Sequence, residues 1–60
     1  MKKYMYVVGF YSPEGVINFE VIQAVDRPAA IDMAKTIAAI SFPKECDRLT
    51  YNILRSDEDE

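Results

Sequence analysis

Few side chains in this sequence are suited to catalysis. The 60 residues include one cysteine and no histidine, so the usual general base near neutral pH and the usual zinc ligand are both missing. Cys46 stands between Glu45 and Asp47, and two adjacent negative charges disfavour the thiolate, which is the nucleophilic form. We expect a structural or incidental role for Cys46, with intermolecular disulfide pairing as the alternative, and we expect no metal and no cofactor.

The glycines and the chain length also argue against an enzyme. Gly9 and Gly15 are the only glycines, and their spacing does not form a phosphate-binding loop. A chain of this length buries only about 60% of its unfolded surface, which leaves little apolar material for a deep pocket. The sequence therefore predicts a non-enzymatic protein with no catalytic residues.

Aromatic and basic side chains are better candidates for a function in binding, because both are enriched at protein interfaces. Tyr4, Tyr6 and Phe10 share one face of the first predicted strand, where they form either part of the core or an exposed patch for a partner. Arg48 and Arg55 flank the last predicted strand. Their guanidinium groups are suited to carboxylates of a partner, the alternative being solvated strand ends.

The net charge is concentrated at the end of the chain. Seven basic and ten acidic residues give a net charge of −3, and the last four residues, 57–60, are all acidic. The remaining body has seven basic and six acidic residues, which argues against direct binding of nucleic acid, since that requires a basic surface. The acidic end is interpreted as a segment that increases solubility or that docks on a basic surface. It also permits the hypothesis that the protein is an acidic mimic of DNA.

Hydropathy indicates a cytoplasmic protein without membrane contact. No apolar run approaches the roughly 20 residues that a membrane span needs. The opening Met1-Lys2-Lys3 leads into tyrosines rather than a leucine-rich signal core.

The first half of the sequence predicts a β-hairpin. Residues 3–11 are aromatic and β-branched without helical periodicity, which is typical of a central strand that is apolar on both faces. Ser12-Pro13-Glu14-Gly15 has the composition of a turn, and residues 16–25 resume as a second strand.

Two registers of this hairpin are open. In the first, with Gly15 in a bulged three-residue loop, Tyr11 faces Ile17, Gly9 faces Phe19 and Val7 faces Val21. One face then has Met5, Val7, Ile17, Phe19, Val21 and Val25, and the other has Tyr4, Tyr6, Val8, Phe10, Asn18, Glu20 and Ile22. A tighter loop slips the pairing by one residue and places Tyr4, Tyr6, Val8 and Phe10 with Ile17, Phe19 and Val21.

A helix and a third strand follow. Asp26-Arg27-Pro28 predicts the helix start and Phe42-Pro43 its end, since proline suits the first helical turn and disfavours helix in the residue before it. The predicted buried stripe has apolar residues at helical spacing: Ala30, Met33, Ala34, Ile37, Ala38 and Ile40. Residues 48–55 alternate, with Leu49, Tyr51 and Ile53 on one face, which predicts a half-buried strand.

These elements predict an α+β fold of β-β-α-β order. The expected architecture is a three-stranded antiparallel sheet in the order 3-1-2 with the helix packed on one face, forming a single domain over residues 1–55. Residues 56–60 are expected to be an acidic disordered tail. Because one helix covers only one face of the apolar first strand, a homodimer that buries the other face is a second functional hypothesis.

The layout resembles that of the small phage-encoded host-takeover proteins, among them an inhibitor of bacterial RNA polymerase. The likeness covers about residues 6–55 and depends on these features: Phe19-Glu20-Val21-Ile22 leading to Ala24 and Asp26, Ala30 and Ala34 at helical spacing, Phe42-Pro43, and Arg55 at the end of the last strand.

The resemblance implies a compact protein that binds and blocks a host protein or protein complex, such as RNA polymerase or a defence nuclease complex. In such an inhibitor, arginines late in the last strand contact the polymerase. Here Arg55 has that position, while Ile53 and Asp57 stand where a second arginine is expected. The complete set of predicted partner-binding residues is Arg48, Arg55, Tyr4, Tyr6, Phe10 and Glu20.

Overall fold

The computed structural model describes residues 2–58. Their helices and strands are β1 (Tyr4–Ser12), β2 (Gly15–Ala24), α1 (Arg27–Ser41), a short 3₁₀ helix (Cys46–Arg48) and β3 (Thr50–Ser56). The strands form one antiparallel sheet in the order β2-β1-β3, and α1 packs on one of its faces. The predicted α+β fold, with the first strand in the centre, is confirmed.

Local sequence sets both ends of α1. The Asp26 carboxylate accepts a hydrogen bond from the Ala29 N–H at 2.9 Å, which satisfies one of the unpaired donors of the first turn. Pro28 lies in that first turn. At the other end, the Phe42 N–H donates to the Ala38 carbonyl at 2.7 Å, and Pro43 follows. The predicted boundaries are therefore confirmed.

Alanines bring α1 close to the sheet. Ala30, Ala34 and Ala38 are fully buried, and they recur every four residues on one side of the helix. The prediction that Met33 and Ile40 belong to the buried stripe is wrong, because both side chains are largely exposed. The buried stripe is narrow since only side chains as small as alanine fit beneath the helix axis.

A β-bulge sets the hairpin register. The turn is tight, with Ser12 opposite Gly15 and Gly15 at a φ of 131°, a conformation that glycine adopts readily. The pairing then shifts between Phe10 and Tyr11, so that Tyr11 lies opposite Val16. Ile17 becomes the extra residue and packs against the core.

The bulge restores most of the first predicted register. Gly9 lies opposite Phe19 and Val7 opposite Val21, as that register requires, while its pairing of Tyr11 with Ile17 is wrong. A tight turn without the bulge would have exchanged the two faces of β2 relative to β1.

The core lies between α1 and the covered face of the sheet. Tyr6, Val8 and Phe10 have no exposed surface. The Phe10 ring meets the rings of Phe42 and Tyr51 edge-on, with centroids 6.3 and 5.3 Å apart. Aromatic pairs prefer this arrangement. The remaining buried residues are Ile22, Ala24 and Leu49 along with the helix alanines.

The third strand begins at Thr50, two residues later than predicted, because Arg48 ends the 3₁₀ helix, while the predicted alternation is confirmed. Leu49 is buried, and Tyr51 and Ile53 pack against the core from one side of β3. A second bulge lies on this strand, since Val8 pairs with Ile53 whereas Val7 pairs with Arg55. Leu54 is the extra residue and is exposed.

The prediction of a disordered tail over residues 56–60 needs correction. Ser56 is the last residue of β3. Asp57 continues the pairing, because its N–H donates to the Met5 carbonyl at 3.2 Å and its carboxylate accepts from the Met5 N–H at 2.8 Å. Asp59 and Glu60 lie outside the described residues.

Candidate protein-binding face

The side of the sheet opposite α1 has no covering layer among the described residues. We call it the open face. The register places these residues on it: Met5, Val7, Gly9 and Tyr11 of β1, Val16, Phe19, Val21 and Gln23 of β2, and Thr50, Asn52 and Arg55 of β3, with Leu54 at the bulge of β3.

The β1 and β2 part of the open face is apolar and well exposed, apart from Gln23, whereas β3 adds the polar Thr50 and Asn52. Phe19 is 53% exposed and Val21 62%. With strands about 4.8 Å apart and about 3.3 Å per residue, the whole face measures about 14 by 30 Å, or about 400 Å², of which β1 and β2 form roughly 300 Å². Isolated apolar residues are common on protein surfaces, but a contiguous patch of roughly 300 Å² is typical of an interaction site.

A glycine and two aromatic rings form the centre of the open face. A Cβ atom placed on Gly9 would lie 2.8 Å from the Tyr11 ring, so the ring lies against the backbone of Gly9. A side chain at position 9 would force the ring to move. Phe19 lies opposite Gly9 and is 53% exposed, so the centre of the face is aromatic.

Arg55 is the charged residue on the open face. It lies opposite Val7 and lines a shallow depression with Met5, Ser56 and Asp57. Within residues 2–58, Arg55 makes no ion pair. Its side chain is exposed.

Arg48 lies away from Arg55, at the other end of β3. Its guanidinium group forms an ion pair with the Glu14 carboxylate at 3.1 Å, and both side chains are exposed. A hydrogen bond from the backbone of Glu14 lowers the pKa of the Glu14 carboxyl group, helped by the Ser12 hydroxyl and by Arg48. The two predicted arginines are therefore not brought together.

The predicted aromatic residues do not form an exposed patch. Tyr6 and Phe10 are fully buried beneath α1, so the prediction that they reach a partner is corrected for both. The large rings face the helix because its small alanines leave room for them. Tyr4 is half-buried against the core, with the Lys2 ammonium 5.3 Å from its ring centroid.

Glu20 also lies on the covered face. It pairs with Val8 and accepts a hydrogen bond from the Asn18 side-chain amide at 2.8 Å. Of the six predicted partner-binding residues, Arg55 alone lies on the open face. Sequence reasoning grouped Met5, Val7, Phe19 and Val21 on one face but did not identify that face as the exposed one.

The start of the acidic end forms a contact that the sequence did not indicate. We call Asp57 and Glu58 the C-terminal latch. The Tyr6 hydroxyl donates to the Glu58 carboxylate at 2.9 Å, and the same carboxylate accepts from the Arg27 guanidinium group in an ion pair. Burial of the ring, followed by the hydrogen bond to Glu58, raises the pKa of Tyr6 to about 12.

The latch changes the interpretation of the acidic end. Asp57 and Glu58 bind their own domain through β1 and α1, and those bonds engage both carboxylates. The hypothesis of an acidic DNA mimic then depends on residues outside the described range.

Within residues 2–58, no group of three or more metal-ligating side chains is placed to hold an ion. The Cys46 thiol is half-buried and lies 3.6 Å from the Pro43 carbonyl oxygen. No helix in this part of the chain has the length and apolar character needed to cross a bilayer.

The fold and the open face together define a small two-layer α+β protein with one uncovered sheet face. Comparisons with protein-family models, with curated proteins and with solved structures returned no match.

Proposed function

We propose that this protein is a non-enzymatic binding protein that docks on another protein through its open face. The observation that carries the proposal is the contiguous group of exposed apolar side chains on one sheet face, with Phe19 and Val21 at its most exposed part. Such a face is costly to leave in water, and a partner surface that covers it removes the cost.

The size of the open face sets the strength of docking. Burying the roughly 300 Å² of the open face that β1 and β2 form contributes roughly 7 kcal/mol at about 25 cal/mol per Å². Association costs roughly 4 to 15 kcal/mol because the two proteins lose translational and rotational freedom. The two terms are comparable, so useful affinity requires a partner that is itself apolar at the contact and adds polar contacts at the rim.

Arg55 specifies the chemistry of that rim. Its exposed guanidinium group beside Val7 favours a partner with a carboxylate next to the apolar patch, since arginine binds carboxylates in a bidentate geometry. The partner surface that fits best is therefore an apolar patch bordered by acidic residues.

The target that we propose is a bacterial host machine, either RNA polymerase or a defence nuclease complex, which this phage-type protein inhibits by occupying part of its surface. The support is the resemblance of layout, with Arg55 late in the last strand. An inhibitor of this kind needs a stable docking surface and no reactive group.

Size-exclusion chromatography with light scattering on the full chain, alone and mixed with purified bacterial RNA polymerase or a defence nuclease complex, tests the proposal. We expect co-elution with one of them and inhibition of its activity. Val21→Lys should abolish both, because it places an unpaired charge in the buried contact. Ile40→Lys is the matched control, since Ile40 is 77% exposed on the helix, and it should bind as the wild type does.

Two outcomes would contradict the proposal. Co-elution that survives Val21→Lys would mean that the open face is not the docking surface. Failure of the wild type to bind any of these machines would reject the proposed class of target. Arg55→Glu refines the test: it should weaken binding about 10-fold or more through charge repulsion at the rim, whereas Arg48→Glu should leave binding unchanged.

A further inference from the structure

We infer that, when no target is bound, the open face docks on the open face of a second copy, giving a symmetric and reversible dimer of face-to-face sheets. The inference depends on the proposed role of the open face as a binding surface. It adds a specific occupant for that surface and a form of regulation, since the second copy and the target compete for the same residues.

The surface chemistry of the open face is self-complementary. Its β1 and β2 members are all uncharged, so no like charges meet when two copies place these strands together. Two antiparallel sheets pack face to face about 10 Å apart when both inner faces are apolar. The β1 and β2 part of the open face supplies this condition on both sides of a two-fold axis, with Arg55 and the polar residues of β3 at its edge.

The shape of the open face fits the same arrangement. Phe19, which is 53% exposed, lies opposite Gly9 near the centre of the face, so a second copy that covers the centre buries this ring. The surrounding residues include Val7, Val16 and Val21, whose short branched side chains interdigitate between packed sheets.

The area determines how strong such a dimer is. A standard stable interface buries about 800 Å² on each partner, which is about a fifth of the 4198 Å² surface of this chain. The open face offers about 400 Å² of sheet. The dimer therefore falls in the class of small, weak interfaces, so it forms at high protein concentration and dissociates on dilution.

Analytical ultracentrifugation of the full chain alone tests the inference at about 5 µM and about 500 µM, concentrations that bracket the range expected for a small interface. The wild type should sediment as a 6.9 kDa monomer at the lower concentration and approach twice that mass at the higher one. Val21→Lys should remain monomeric at both, and Ile40→Lys should behave as the wild type. Circular dichroism checks that each variant is folded, and Phe19→Ser replaces Val21→Lys if that variant does not fold.

Three results would overturn the inference. The first is a wild type that is monomeric at about 500 µM. The second is a dimer that persists in folded Val21→Lys. The third is a dimer that is lost in Ile40→Lys, which would place the contact on the helix.

The two proposals fail separately. A monomeric wild type that still binds a host machine in a Val21-dependent manner rejects self-association and keeps the proposed function. A Val21-dependent dimer that binds none of the tested machines keeps self-association and rejects the proposed target. If both hold, adding the target should dissociate the dimer in proportion to the complex formed.

Discussion

The two faces of the central strand differ in what covers them and hardly in the residues that compose them. Tyr6, Val8 and Phe10 point to α1 and have no exposed surface, whereas Met5, on the opposite side of the same strand, is 45% exposed. Both sets are apolar. An apolar side chain in a small domain is therefore buried or exposed according to where the single helix lies.

The covered face shows how a small domain closes a core with one helix. Large rings on β1 meet small alanines on α1, and the latch ties the edge of this layer through Tyr6 and Glu58. Chains of this size have only about 3 to 5 kcal/mol of net stability. The face on which a residue lies therefore predicts how strongly a substitution there changes the free energy of unfolding.

The largest expected effect is unfolding by Ala34→Glu. Ala34 is fully buried between α1 and the sheet, and an unpaired carboxylate there costs more than the entire stability of the domain. Circular dichroism should show loss of cooperative folding. Ala39→Glu is the matched control, because Ala39 is exposed on the same helix, and it should change stability by less than about 0.5 kcal/mol. A folded, cooperative Ala34→Glu would mean that α1 packs through another face.

The next effect compares two valines on opposite faces. Val8→Ala removes two buried methyl groups from a fully packed site and should cost about 2 kcal/mol. Val21→Ala removes the same atoms from a side chain that is 62% exposed and should cost less than about 0.5 kcal/mol. Urea unfolding of both variants measures the difference. Equal losses in the free energy of unfolding would show that the open face is covered in solution. This result agrees with the dimer only if the loss caused by Val21→Ala becomes smaller on dilution.

Much of the fold follows from the sequence because its signals are local. The cap at Asp26, the proline at position 28 and the alternation from Leu49 to Ile53 each depend on neighbouring residues. The two-faced pattern of β1 was sufficient to place it in the centre of the sheet. The register was less accessible, since the tight turn by itself favours the wrong pairing and the bulge at Ile17 corrects it.

The candidate site is harder to predict because it depends on long-range contacts. Which face of β1 the helix covers is decided by the fit of Tyr6 and Phe10 against alanines, and either face was apolar enough. The contact of Tyr6 with Glu58 joins residues 52 positions apart, and acidic residues at a chain end ordinarily indicate disorder. Arg55 was identified because an arginine at a strand end is visible without knowledge of the packing.

A smaller effect is expected from Gly9→Val, which tests the contact of the Tyr11 ring with the backbone of Gly9. The new side chain meets the Tyr11 ring, with the Cβ 2.8 Å from it. The ring is the mobile end of a side chain and can move, so the cost should be about 1 kcal/mol. In a Tyr11→Ala background the same substitution should be neutral or stabilising, because valine favours strands and the ring is gone.

This double-mutant cycle also concerns the first predicted register, in which Gly9 faces Phe19. That pairing is confirmed, and the side-chain atoms nearest to a Cβ at position 9 belong to Tyr11. If Gly9→Val costs the same with and without the Tyr11 ring, the ring does not lie over Gly9.

The last prediction concerns the stability of the protein at alkaline pH. The pKa of Tyr6 is about 12 in the folded protein, raised by burial and by Glu58 from an ordinary value of 10.0. Between these two values the unfolded chain has lost the Tyr6 proton while the folded chain keeps it, so the free energy of unfolding falls as the pH rises from about 10 to about 12. Urea unfolding across this range should show a steeper loss for the wild type than for Tyr6→Phe, which has no phenol to ionise.

The matched control for this titration is Tyr4→Phe, which removes a phenol from a half-buried position without touching the latch. Its stability should fall with pH as that of the wild type does, because Tyr6 and Glu58 remain in place. At neutral pH, Tyr6→Phe should lower the melting temperature by only a few degrees, since it loses one hydrogen bond and keeps the ring in the core. If the wild type and Tyr6→Phe lose stability in parallel above about pH 10, the folded protein does not raise the pKa of Tyr6. Solvent then reaches the Tyr6 hydroxyl at the latch.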